Sequence, residues 1–144
     1  MKKLFYLLLL SSISTFAQDI IIQESPKNQS VDVVDENKIY NQQYLEEPAK
    51  MSSDPSGYIK LFLKKFKIPK EAIKNLGGTR IALVISFTVE KDGTLTNYEV
   101  HRDPGYNIGN EAIKTLKKMP TWIAGKKGGK YVRSYSKLPL TMEL

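Results

Sequence analysis

The chain has no cysteine. Disulfides, a lipoprotein-type cysteine anchor, thiol catalysis and cysteine-ligated zinc are therefore excluded. Histidine occurs once, at His101. A long apolar run is also missing. The longest candidate, Leu4 to Phe16, is broken by serines and falls short of the about 20 residues that a bilayer span wants. What surrounds it has the pattern of an export signal: Lys2 and Lys3, the apolar stretch Leu4 to Leu10, then Ser11 to Phe16 and Ala17. Thr15 and Ala17 stand at the −3 and −1 positions, so cleavage is expected between Ala17 and Gln18. Residues 1–17 then form a signal peptide and the mature protein is periplasmic. Left uncleaved, the same segment would be an inner-membrane anchor.

The formal net charge is +7. The signal segment takes two lysines and no acids with it, leaving 20 basic against 15 acidic groups. That balance suits an anionic lipid, a polysaccharide or an acidic peptide, and is too dispersed for nucleic acid. The hydrophobic fraction of 41% and charged fraction of 26% are globular values, and 144 residues hold one domain and a tail. Residues 18–56 read as that tail, a flexible linker of Gln, Asn, Ser, Asp and Glu opened by Ile20-Ile21-Ile22, with Tyr44-Leu45 as a docking point. Its prolines are too few for a stiff spacer.

The domain, residues 57–144, is organised around Arg80 to Val100. Ile81, Leu83, Ile85, Phe87 and Val89 recur with period two, the pattern of a half-buried strand. Lys91-Asp92-Gly93-Thr94 is a hairpin turn. Leu95, Tyr98 and Val100 return as a second strand, with a bulge implied between Leu95 and Tyr98. Before the hairpin, Ser56 can cap a helix over Tyr58 to Phe66 with Ile59, Phe62, Leu63 and Phe66 inward and lysines outward. Pro69 opens a second helix, Lys70 to Leu76, closed by Gly77-Gly78. After the hairpin, Asn107 or Asn110 caps a helix that buries Ile108, Ala112, Ile113, Leu116 and Met119, and Pro120 stops it. Trp122 anchors the exit against the sheet. The last strand turns Val132, Leu138, Leu140, Met142 and Leu144 to one face and Arg133, Tyr135, Lys137, Thr141 and Glu143 to the other. Pro139 cannot donate to a ladder on both sides, so this strand is expected at an edge. The expected fold is α+β: a small three-stranded antiparallel sheet with helices packed on one face, in the order α-α-β-β-α-β.

No catalytic set emerges. His101, beside Arg102 and Asp103, has the chemistry of a general base but no identifiable serine partner, and reads as a strand-end histidine. Gly125-Lys126-Lys127-Gly128-Gly129-Lys130 lacks the GxxxxGK[ST] spacing and leads into a strand, so it is a turn and not a phosphate cradle. Glu46-Glu47 and the Asp32 to Glu36 stretch lack the ligand order of a calcium loop. Asn28-Gln29-Ser30 matches a glycosylation sequon. Neither cofactor nor metal is expected, and the chain does not read as an enzyme.

One resemblance covers Tyr44 to Leu144 in unbroken order. Glu46-Glu47-Pro48, Phe62-Leu63-Lys64, Ile68-Pro69-Lys70-Glu71-Ala72, Phe87-Thr88-Val89 and Lys91-Asp92-Gly93 carry its first half. Asn110-Glu111-Ala112, Lys118-Met119-Pro120, Trp122-Ile123, Gly129-Lys130, Val132-Arg133 and Leu138-Pro139-Leu140 carry the second. The chain resembles the TonB C-terminal domain family, in the form common in the Bacteroidetes. It departs at Met51 to Gly57, where such relatives often carry a Phe-Pro-Gly-Gly element, and at Tyr131, where they often have proline.

The resemblance implies a role in coupling the inner-membrane proton motive force to outer-membrane receptors. The family's domain captures a receptor segment, the TonB box, as a strand added beside its last strand. Carried over, that edge is Tyr131, Val132, Arg133, Ser134, Tyr135, Ser136, Lys137 and Leu138. Unpaired backbone groups there supply the affinity, and Lys126, Lys127 and Lys130 would draw an acidic segment. Inner-membrane proton-channel partners are implied only if the N-terminus stays uncleaved, and the roughly 40-residue tail would reach only about 130–140 Å fully extended. A soluble envelope adaptor with no energy-transducing role is the alternative. An exposed edge also invites strand-paired homodimers.

Overall fold

A computed structural model describes residues 33–144. The expected leader, the Ala17–Gln18 cleavage point, the Ile20–Ile22 run and the Asn28 sequon lie outside the described residues. In chain order the elements are β1 (Ile39–Asn41), a 3-10 turn (Gln42–Tyr44), β2 (Lys50–Met51), α1 (Pro55–Lys65), α2 (Lys70–Leu76), β3 (Arg80–Val89), β4 (Leu95–Arg102), α3 (Ile108–Leu116), β5 (Trp122–Ile123), β6 (Gly125–Lys127) and β7 (Lys130–Glu143). The class is α+β. No helix among the described residues is long and apolar enough to cross a membrane.

The hairpin forms where period two and Asp-Gly place it. Ile81, Leu83, Ile85, Phe87 and Val89 are all buried. Gly93 sits at φ +83°, and a Cβ there would run into the carbonyl oxygen of Trp122. The same approach lets the Trp122 amide donate to the Gly93 carbonyl at 2.8 Å. The implied bulge is present: between Ser86↔Glu99 and Thr88↔Thr96, β4 advances three residues against two on β3. Asn97 absorbs the extra residue at φ +48°. A second shift, between Val84↔Arg102 and Ile85↔Val100, leaves His101 as the extra residue.

β7 pairs antiparallel with all of β3, from Arg80↔Glu143 to Val89↔Ser134. The main sheet runs β1-β7-β3-β4, β6 folds back on β7, and β2 pairs with β5. The three expected strands are thus present, but they are joined by short ones that the sequence does not announce. The expected edge position of the last strand holds only in part. Arg133, Ser134 and Tyr135 lie between β3 or its continuation and a parallel partner, β1.

The helices pack on the apolar face with small differences from expectation. Asp54, not Ser56, caps α1, its Oδ2 accepting from the Gly57 amide at 2.8 Å. The longer carboxylate reaches that amide while Pro55 takes the first helical position, so the helix starts earlier. The inward stripe is Tyr58, Phe62 and Phe66, with Ile59 partly buried against the same core, whereas Leu63 is 43% exposed. α2 matches its expected bounds. Asn107 precedes α3 in a left-handed conformation and makes no side-chain cap. Its Oδ1 instead accepts from Asn110 Nδ2 at 2.7 Å. Ile108, Ala112, Leu116 and Met119 are buried, while Ile113 is only partly so. Trp122 anchors the core edge-on to Phe87, with ring centroids 5.1 Å apart. Its Nε1 donates to the Tyr58 hydroxyl at 3.1 Å.

The described residues belong to a compact unit that begins at Asp32, well before the boundary expected at Gly57. The physical reason is a second small core in which Tyr40 and Leu45 bury against Val132, with Val34 beside them.

Candidate functional site

The outer edge of β7 is built by the tail folding back on it. β1 pairs in parallel, with Ile39↔Arg133, Tyr40↔Ser134 and Asn41↔Tyr135 in register. Tyr40 drives this contact. It is 6% exposed, and its hydroxyl accepts from the Asp35 amide at 3.0 Å. Gln42 extends the seam: its Nε2 lies 3.4 Å from Ser134 Oγ, and its Oε1 accepts from the Ala49 amide at 2.7 Å. Beyond Tyr135, no strand of the described residues covers this side of β7 at Ser136 to Leu138.

Arg133 ties three segments together. Its Nε and one terminal nitrogen grip Glu90 at 2.7 and 3.0 Å, a bidentate pair. The other terminal nitrogen donates to the Asn37 carbonyl at 3.2 Å. The Arg133 hydrogen bond holds the Glu90 carboxyl below its ordinary range, and Thr96 also donates to it. The guanidinium is pushed up in turn, chiefly by that hydrogen bond to Glu90. This fork anchors β1's approach to the β3–β4 turn.

The basic turn is equally engaged. β6 and β7 form a hairpin across Gly128 and Gly129, both with positive φ. Glu46 accepts both turn amides, at 2.8 Å from Gly128 and 3.3 Å from Gly129. Lys126 pairs with Glu47 at 3.0 Å, and its pKa is raised first by that hydrogen bond. Backbone bonds run alongside, from the Glu46 amide to the Lys126 carbonyl and from the Lys126 amide to the Glu47 carbonyl. Lys126 also lies 5.2 Å over the ring of Tyr131, which is 52% exposed. Lys127 lines a depression of about 500 Å³ with Lys38, Ile39, Tyr40, Asn41 and Tyr44. Lys130 begins β7 and acts electrostatically on Glu36.

The structure therefore gathers the expected residues, and it adds Glu46, Glu47, Glu90 and the β1 backbone to them. The cue for Glu46 and Glu47 was an acidic pair beside the docking point at Tyr44-Leu45.

On the far face of the sheet, His101 meets a serine after all. Ser86 Oγ lies 2.6 Å from His101 Nε2. The Tyr135 hydroxyl is 3.4 Å and Glu99 Oε2 3.8 Å from that same nitrogen. A serine nucleophile needs its base oriented through the other ring nitrogen. Here all three groups converge on one atom, and Ser86 is 1% exposed. The cluster knits three neighbouring strands together across the sheet's polar face.

A family model described as the Gram-negative bacterial TonB protein C-terminal matches residues 69–144. That span takes in α2 to β7 and excludes β1 and α1. No curated protein matches the chain. Among solved structures, the solution structure of the Helicobacter pylori TonB C-terminal domain, residues 194–285, is 21% identical with a TM-score of 0.44, over 64% of this chain and 96% of that one. The longer form of that domain, residues 179–285, is 18% identical with a TM-score of 0.40, over 65% of this chain and 86% of that one. The family match covers more than half of the sequence, and the chain belongs to the TonB C-terminal domain family.

Proposed function

We propose that this is a periplasmic TonB-like domain that captures an extended segment of an outer-membrane TonB-dependent receptor, and so takes part in TonB-dependent transmembrane transport. The segment is taken up as a strand along β7, over Tyr131 to Leu138. The observation that carries the reading is β1. A short extended piece of the tail already lies on this edge in register with Arg133 to Tyr135. The acidic groups that follow it, Glu46 and Glu47, occupy the turn at Lys126, Gly128 and Gly129.

The tail thus occupies the place an incoming segment would take, with the same two chemistries. Main-chain pairing supplies affinity, and alternate side chains and charge supply choice. A receptor segment gains access by displacing β1. Periplasmic residence rests on the leader read in residues 1–17.

The test is a titration of the isotope-labelled chain with a TonB-box peptide, followed by amide resonances. Shifts are expected together at Ile39 to Asn41 and at Arg133 to Leu138. Resonances that stay put on both strands at saturating peptide would remove β7 as the capture edge.

A further inference from the structure

The positive charge of this protein is segregated. Residues 55–78 and 108–119, which hold α1, α2 and α3, carry nine lysines and two glutamates. The rest of residues 33–144 carries ten basic and ten acidic groups. All the net charge of the described chain therefore sits on the helices, away from the strand edge at β1 and β7. Within that layer, Lys64, Lys65 and Lys67 from the α1 end and Lys114 and Lys118 from the α3 end converge on one groove of about 310 Å³. Among the described residues its only acid is Glu111, already held by Lys114 at 2.6 Å.

A second feature accompanies the charge. Leu63 is 43% exposed and Ile73 is 51% exposed. Each has a lysine three residues before it and another immediately after: Lys60 and Lys64 around Leu63, Lys70 and Lys74 around Ile73. Positions i, i+3 and i+4 share a helix face. Both helices thus present an apolar tip framed by ammonium groups. A soluble polyanion or a glycan needs only the charge. A bilayer surface rewards both, because lysines reach the headgroups while an apolar residue enters the acyl boundary.

We infer that the helical face docks on the surface of an anionic phospholipid bilayer. Leu63 and Ile73 insert, and the Lys64–Lys118 groove sits against the headgroups. The capture edge does not take part, so a receptor segment and a membrane can be held at the same time.

The test is cosedimentation of the chain from Gln18 onward with vesicles. That form omits the apolar leader and contains the whole compact unit Asp32–Leu144. Vesicles of phosphatidylcholine with a third phosphatidylglycerol should bind it, and pure phosphatidylcholine should not. Near an anionic surface each lysine is worth roughly five-fold in affinity. The triple variant Lys64→Gln/Lys65→Gln/Lys118→Gln should therefore bind about a hundred-fold more weakly. Leu63→Ser/Ile73→Ser, which leaves every charge in place, should also weaken binding by at least about ten-fold. Circular dichroism and the thermal midpoint of each variant verify that it is folded. Equal binding to neutral vesicles, or full affinity in the triple variant, would overturn the proposal. So would a serine variant that binds as wild type, or retention by peptidoglycan sacculi with none by vesicles.

Discussion

If β1 stands in for a receptor segment, locking it in place should close the edge. Asn41 and Tyr135 are register partners on neighbouring strands. Such strands lie about 4.8 Å apart, within the about 4.4–6.8 Å between Cα atoms that a disulfide spans. The chain has no cysteine, so Asn41→Cys/Tyr135→Cys can form only this crosslink within one chain, and the oxidised monomer is the species to test. The magnitude follows from what β1 gives up on release. Pairing over three residues contributes about 1 kcal/mol for each of roughly three hydrogen bonds, and burial of Tyr40 about 2 kcal/mol. Against this, about 1–2 kcal/mol of backbone freedom returns for each residue freed. The balance lies within about 2 kcal/mol, so β1 is a weak internal competitor. A competitor of at most that strength lowers the apparent affinity for peptide by no more than roughly thirty-fold. Fluorescence anisotropy with a labelled TonB-box peptide reads both sides of the argument. The reduced double variant should bind. The oxidised one should bind at least about a hundred-fold more weakly and recover on reduction. Tyr40→Ala, which removes the buried anchor, should tighten binding by up to roughly thirty-fold. An oxidised variant that binds as well as the reduced one would refute displacement and place the peptide elsewhere.

Three further predictions concern the frame that holds this edge. Tyr58→Phe leaves the buried Trp122 Nε1 without its acceptor, a loss of about 1–3 kcal/mol in urea unfolding. Gly93→Ala combines a positive φ with a collision against the Trp122 carbonyl. It should lower stability by at least about 2 kcal/mol, a fall of roughly 8 °C or more in Tm for a domain of this size. Glu90 has its folded pKa depressed below 4.5, first by the Arg133 hydrogen bond. A depressed carboxyl stabilises the fold above its unfolded value and loses that contribution as pH falls from 4.5 through the folded value. Glu90→Gln should therefore flatten the acid limb of the stability profile below that pH, and a limb as steep as wild type would contradict the assignment.

What was legible in the sequence was local or periodic. The β3–β4 hairpin announced itself through five alternating apolar residues and Asp-Gly. Even its bulge could be placed, because Leu95 and Tyr98 are separated by an odd step. β1 had no such signature. Ile39-Tyr40-Asn41 is too short for a period, and its partner lies about ninety residues away in a parallel arrangement that no turn signals. The sequence pointed only to Tyr44-Leu45 as a docking point; Leu45 is buried, but Tyr44 is 65% exposed and the tyrosine that anchors the tail is Tyr40. Pro139 marks an open edge in its own neighbourhood. Pro139 has Val84 as its register partner and no strand of the described residues on its other side. The open edge does not extend back to Arg133, where β1 pairs, because a proline constrains its own donor and not those four or more residues away. The Ser86–His101 contact depends on the second β4 irregularity, which places His101 beside Ser86, and no propensity encodes that register.

The dimensions of β1 also make sense as a compromise between two hazards. A long unpaired edge such as that of β7 recruits other chains, and the exposed Tyr131 beside it would add an apolar contact to any such pairing. A full-length cover strand would remove the hazard but would also charge every incoming segment its whole displacement energy. Three residues, anchored by one buried tyrosine and tethered through Asn37 to Arg133, sit between these limits. They occupy the middle of the edge, so a second copy of the chain finds no uninterrupted ladder. They are too few to hold it against a longer segment that can also pair at Ser136 to Leu138. On this reasoning, the length of the captured segment matters more than its side chains. A peptide spanning only the three β1 positions should fail to displace the tail, and one that runs on past Tyr135 should succeed.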